Sequence, residues 1–176
     1  IKSFVEKLGF TDIVEEAYNR ASSFYVPPKL TGQLLKDLPT QFRGKPFSMQ
    51  SHQLEGAELV VYNKKGVIAF APGGGKTITA IVAVRQLLNQ GVMKKPLFVV
   101  PVNTIAQWEE TVRELYPDAK VFEFPKLKSG PNKGQAKEWS QLNKDEKEQI
   151  VYDLSNNRYD FTIIGDTAFQ KIGLPE

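Results

Sequence analysis

The segment Gly66-Val67-Ile68-Ala69-Phe70-Ala71-Pro72-Gly73-Gly74-Gly75-Lys76-Thr77 joins an apolar run, a glycine cluster and a lysine–threonine pair that leads into a helical pattern. Gly66–Ala71 has the length and composition of a strand buried on both faces, as parallel sheets require. From Thr77 to Gln90 the apolar positions Ile78, Ile81, Val82, Val84, Leu87 and Leu88 predict a largely buried helix, closed by Gly91. Between strand and helix, Gly73, Gly74 and Gly75 have no side chains to keep backbone N–H groups from converging. With the helix N-terminus behind them they predict a nest for an anion bearing several phosphates. In that context Lys76 supplies a point charge for the β- and γ-phosphates, and Thr77 offers a hydroxyl to Mg²⁺. The expected binding set is Pro72, Gly73, Gly74, Gly75, Lys76 and Thr77, with Lys76 catalytic, Thr77 the metal ligand, and ATP with Mg²⁺ as cofactors. A tight strand-to-helix turn with a solvated lysine is the structural alternative. Phe70 stands where such loops usually have Gly or Ala, six before the lysine, and is expected to alter the pitch of the loop but not its donors.

Outward from the loop, the order repeats. Pro96–Pro101 predicts a second buried strand, and Ile105, Trp108, Val112 and Leu115 form one helical stripe that Thr104 and Gln107 would open with a capping box. Ala119–Phe124 predicts a third strand, Lys144–Leu154 a helix and Phe161–Gly165 a fourth strand. Strand and helix in alternation predict an α/β fold, a parallel sheet with helices on both faces. Upstream, Ser48–Asn63 suits a helix ended at Lys64-Lys65-Gly66. Residues 1–46 read as short helices, with Phe4, Leu8, Ile13, Val14 and Ala17 at helical spacing and breaks at Gly9 and Pro27-Pro28. They are expected to form a helical extension ahead of a domain over residues 47–176. The stretch from Pro125 to Ser140, with Lys126, Lys128, Lys133 and Lys137, reads as a loop: solvated surface, or a flap for a phosphate backbone.

Composition limits the alternatives. With 41% hydrophobic and 24% charged residues, the 176-residue chain is expected to be globular. It has no cysteine and one histidine, His52, which removes disulfides, thiolate chemistry and histidine–zinc clusters and leaves oxygen to hold any metal. No run approaches the roughly eighteen apolar residues of a membrane span. Glu6, Asp12, Glu15 and Glu16 make the start too acidic for a secretory signal. A cytoplasmic or nuclear location is expected, without membrane partners. A net charge of +3 does not by itself announce a nucleic-acid binder.

Met49-Gln50-Ser51-His52-Gln53-Leu54-Glu55-Gly56, with Gln53 standing 23 residues ahead of Lys76, resembles the stretch before the P-loop of Swi/Snf-like superfamily-two helicases and translocases. There a leucine, arginine, proline, tyrosine or histidine, then glutamine precede a helix. The resemblance implies a RecA-like ATP-binding lobe in which Gln53 reads the adenine edge, an amide being able to donate and accept at once; His52 would pack beside the base. Pro101-Val102-Asn103-Thr104-Ile105-Ala106-Gln107-Trp108 is similar to the family's next block. It implies that Asn103 and Thr104 touch a nucleic-acid backbone, though simple helix capping would also account for them. Trp108, on the apolar stripe, reads as core. Thr167, after Phe161–Gly165, is carried over from a further backbone-contacting loop, while Gly165 and Asp166 depart from the family's habit.

What the resemblance implies is an ATP hydrolase that moves on nucleic acid, double-stranded DNA being the expected polymer, together with further helicase domains of a longer parent. Another P-loop ATPase or kinase, or a degenerate nucleotide-binding scaffold, are the competing readings. The family's acidic box, which serves magnesium-bound water, is not found in these residues and is expected beyond Glu176. The Asp145-Glu146 pair reads as a helix start in solvent. Weak nucleotide binding without hydrolysis is therefore expected of these residues alone.

Overall fold

The computed structural model describes residues 30–156 and 159–172. The chain divides into two units, Ile1–Leu30 and Thr31–Glu176, and the second is the one described. The helices expected before residue 30 lie outside the described residues. Its elements are β1 (Gln41–Phe42), β2 (Lys45–Pro46), α1 (Ser51–Asn63), α2 (Lys76–Asn89), β3 (Leu97–Val100), α3 (Ile105–Leu115), α4 (Lys144–Ser155), β4 (Thr162–Gly165) and α5 (Asp166–Phe169). Single 3₁₀ turns lie at Val102–Thr104 and Trp139–Gln141.

The fold is α/β, built on a parallel sheet. β3 and β4 run parallel in the register Leu97↔Thr162 to Val100↔Gly165. Along the opposite edge of β4, Val121 bridges Phe161 in parallel, and the Phe122 N–H donates to Phe161 O at 2.9 Å. The expected third strand is thus present as one bridge with its flanking bonds. Phe161 is fully buried, its ring stacked between Phe98 at 6.2 Å and Tyr116 at 6.4 Å. Burial of such a ring contributes roughly 1.5–3 kcal/mol. α3 closes the core over β4 with Ile105 and Val112, both fully buried.

Three local expectations are corrected. Gly66–Ala71 forms no ladder among the described residues, and Val67 is 85% exposed. Backbone N–H and C=O groups pair only where a neighbour is supplied, and none of the described strands pairs with this segment. β3 is buried on one face only: Phe98 and Val100 point inward while Leu97 and Val99 are exposed. Residues 41–46, taken as helical, form instead an antiparallel hairpin, Gln41↔Pro46 and Phe42↔Lys45. Its two-residue turn has φ of 54° at Arg43 and 66° at Gly44, the positive values that a type I′ turn needs.

Side chains, not strands, hold the segment that leads to this hairpin. Buried Glu58 on α1 accepts the Gly32 N–H at 2.7 Å and the Leu34 N–H at 3.0 Å. Burial pushes its carboxyl up, but the N–H groups of Leu34, Gly32 and Thr31 outweigh that and hold it below the usual carboxylate range. Buried Gln86 on α2 grips Lys36 from both sides, accepting its N–H at 2.9 Å and donating to its C=O at 2.5 Å.

Candidate nucleotide-binding site

The glycine loop is a tight turn that runs directly into α2. The Gly74 N–H closes it on Ala71 O at 3.0 Å, so this amide faces the loop's own backbone and not its mouth. Gly75 is the N-cap of α2 with φ 82°, a left-handed conformation that costs an L side chain roughly 1–2 kcal/mol. A Cβ at this position would also collide with the Gln53 amide. The first N–H groups of α2 have no intrahelical acceptor and carry the positive end of its dipole. Lys76 and Thr77 are its first two residues. The Lys76 ammonium, exposed, donates to Phe70 O at 2.9 Å and Ala71 O at 3.1 Å. The Thr77 hydroxyl makes no hydrogen bond among the described residues. These groups fit a polyphosphate with its Mg²⁺: uncommitted donors, an exposed cation on carbonyls it can exchange, and a free hydroxyl beside it. Lys76 and the helix amides would hold the phosphates and Thr77 the metal, whose charge neutralises theirs.

α1 braces this loop. Gln53 is buried, and its amide is committed at both ends: Oε1 accepts the Gln50 N–H at 3.1 Å and Nε2 donates to Gly74 O at 3.2 Å. Exposed His52 places Nε2 3.1 Å from the same carbonyl. Its ring meets Phe70 edge-on at 4.9 Å. The Phe70 ring also comes up against Gly56, where a Cβ would lie 2.8 Å from Phe70 Cζ. Phe70 therefore pins the loop to α1 through a gap that Gly56 leaves open. The sequence marked Phe70 as a departure without showing this partner, which belongs to a helix one turn beyond Gln53.

Pairing β3 with β4 in register brings the residues after each strand to one sheet edge. Asn103 and Thr104 sit in the 3₁₀ turn after β3, and Thr167 sits in α5 after β4. Gly165 allows this approach, since a Cβ there would lie 2.7 Å from Val102 Cγ2. Asn103 and Thr167 are exposed. The Thr104 hydroxyl donates to Pro101 O at 2.8 Å and makes no cap to α3, so the expected capping box does not form: Thr104 is already part of the 3₁₀ turn.

The lysine-rich stretch is tied down at both ends. Lys126 pairs with Ala136 across an antiparallel bridge, and its ammonium lies 2.7 Å from Oε2 of fully buried Glu109, an ion pair without hydrogen-bond alignment. Glu109 Oε1 accepts the Phe124 N–H at 3.1 Å. Lys137 donates to Glu146 at 2.6 Å. Only Lys128 and Lys133 of the four are exposed. Glu109 escaped the sequence reading, although its place four residues after Ile105 on the apolar stripe was the available signal. Asp145 and Glu146 do form the first turn of a helix, α4, where Glu146 accepts the Asn143 N–H at 3.0 Å. The Lys137 hydrogen bond and the Asn143 N–H hold the Glu146 carboxyl below the usual range. Among the described residues no group of three or more His, Cys, Asp or Glu side chains is placed to hold a metal, and no helix is long and apolar enough to cross a membrane.

Residues 43–169 match the family described as the type III restriction enzyme, res subunit. The chain belongs to this family. It is an ATPase domain of the helicase-superfamily type, as a curated relative also supports: 72 residues are 35% identical to the uncharacterized ATP-dependent helicase YqhH of Bacillus subtilis (strain 168). That match covers 40% of this chain and 13% of the relative, so the chain spans only a small part of that protein.

Proposed function

We propose that the chain is the nucleotide-binding part of a nucleic-acid-stimulated ATPase motor, of the Swi/Snf-like kind, working on double-stranded DNA within a longer protein. One observation carries this reading: a glycine turn leads straight into α2 with Lys76 and Thr77 in its first turn. Membership in the res-subunit family and the likeness to a protein named as a helicase support it, and Gln53 with Gln107-Trp108 favours the Swi/Snf-like branch. In this reading Gln53 releases one of its two hydrogen bonds to meet adenine, and Lys76 trades the Phe70 and Ala71 carbonyls for phosphate oxygens. Asn103, Thr104 and Thr167 line the sheet edge that meets the polymer backbone. The lobe begins near residue 47.

These residues bind nucleotide but do not hydrolyse it. The sole Asp-Glu pair in the sequence caps and braces α4, so among the described residues no carboxylate pair stands at a strand end to orient water. The test is ATP hydrolysis by a longer protein that carries this chain, measured with and without duplex DNA. Turnover that rises with DNA and is lost in Lys76→Ala supports the proposal. Turnover indifferent to DNA overturns the motor, and steady turnover by residues 1–176 alone overturns the assignment of hydrolysis to other segments.

A further inference from the structure

A cleft of about 610 Å³ opens at the C-terminal end of α2, where residues 37–41 face Arg85, Asn89 and the segment from Glu114 to Asp118. Its volume suits a small ligand, and it lies roughly 14–20 Å along α2 from Lys76. Three carboxylates, Asp37, Glu114 and Asp118, face one guanidinium, Arg85, in this lining. Arg85 and Asp118 neutralise each other at 2.6 Å. Asp37 has no cation partner among the described residues, and Glu114 is paired only loosely, with Arg43 from outside this lining. Glu114 Oε2 is buried and accepts no hydrogen bond among the described residues; the nearest cation, Arg43 Nε, stands off at 3.7 Å.

Tyr116 adds an independent signal. It is only 6% exposed, and its hydroxyl has no hydrogen-bond partner among the described residues. A buried hydroxyl without a partner is a cost that native structures rarely carry. Burial pushes the phenol up to about 12, with the Arg85 charge opposing and Asp118 and Asp37 reinforcing the rise. The hydroxyl therefore lies in the field of the same groups that line the cleft. Asp37 itself adopts φ 49°, held there by the two-way grip of Gln86 on its neighbour Lys36.

We propose that this cleft binds an organic cation, an ammonium or guanidinium group on an alkyl stem, with Glu114 and Asp37 meeting the charge and the Tyr116 oxygen accepting one N–H. Leu38 and Pro117, also in the lining, give the stem an apolar wall. With Arg43 included, three carboxylates stand against two guanidiniums, a negative balance that disfavours phosphates, so the site is distinct in chemistry from the glycine loop. The cation is supplied by a free polyamine or by the lysine or arginine side chain of a partner.

The test is calorimetric titration of the 176-residue chain with spermidine and, separately, with N-acetyl-arginine methylamide. Saturable binding of either probe is expected, weakened about tenfold or more by Glu114→Gln, several-fold by Tyr116→Phe, and unchanged by Lys76→Ala. Tighter spermidine identifies a free polyamine; tighter arginine identifies a partner side chain. Tyr116→Phe keeps the ring and deletes only the unpartnered hydroxyl, so it decides the matter even if the Glu114 variant does not fold. Absence of saturable binding by both probes, or binding that Tyr116→Phe leaves untouched, overturns the proposal.

Discussion

Gly66–Ala71 and Phe161–Gly165 are two short apolar runs, the first followed by a turn and a helix, the second directly by a short helix. The second has β3 along one edge and the single bridge at Val121, with its flanking bonds, along the other, and every residue from Phe161 to Gly165 is buried. The first has no ladder among the described residues and leaves Val67 almost fully exposed. Composition made both capable of being strands. Neighbours made only one of them a strand, because the ladder bonds come from another segment. What holds the first run in place is its far end, where Phe70 is clasped by His52 and Gly56 of α1.

The contrast is sharpest in stability. Phe161→Ala is expected to cost about 3–5 kcal/mol, since it empties a ring site between Phe98 and Tyr116; urea unfolding of the chain measures it, and a loss below about 1 kcal/mol would erase the distinction between the two runs. Next comes Glu58→Gln, which weakens the tether of another segment without a ladder and is expected to cost about 1–3 kcal/mol. The Glu58 carboxyl titrates below the unfolded value of 4.5, so its contribution is fully present above pH 4.5 and is lost as pH falls from there through the lower folded value. Unfolding curves recorded from pH 6 down to pH 3 should show a steeper loss in the parent chain than in the Gln variant, and parallel curves would count against the tether.

A smaller effect is expected at the loop itself. Gly75→Ala forces an L residue into φ 82° and displaces Gln53, for about 1–2 kcal/mol, with nucleotide binding lost as well; a variant that binds as tightly as the parent would show that Gln53 does not brace the loop. The smallest belongs to Val67→Ala, which is expected to stay within about 0.5 kcal/mol in the same urea assay. A cost near that of Phe161→Ala would mean that the first run is buried in solution after all.

Much of this was legible in the residues. The strands β3 and β4 with the helices between them, α2 with its glycine turn, α3 with its buried stripe, and the start of α4 follow from periodicity and end signals, because each is a local property of the chain. The hairpin at residues 41–46 was missed because two consecutive left-handed residues, one of them arginine, leave no apolar period to detect. The one-sided burial of β3 and the exposure of Gly66–Ala71 depend on which segments lie alongside, and no local pattern states that. At the candidate site the loop, Lys76 and Thr77 could be named from order alone. The bracing of Gly74 by His52 and Gln53, the fit of Phe70 against Gly56, and the burial of Glu109 beneath Lys126 required three dimensions, since each pairs residues on different elements.

The claim on which the functional reading stands is that the glycine turn and the first residues of α2 capture a polyphosphate. Titrating the 176-residue chain with MgATP, followed by the backbone amide signals of residues 73–77, tests it most directly. Saturable shifts confined to the loop and the first turn of α2, with affinity reduced roughly tenfold or more in Lys76→Ala, are the expected result. Shifts scattered over the surface, or equal affinity in the two proteins, would contradict it.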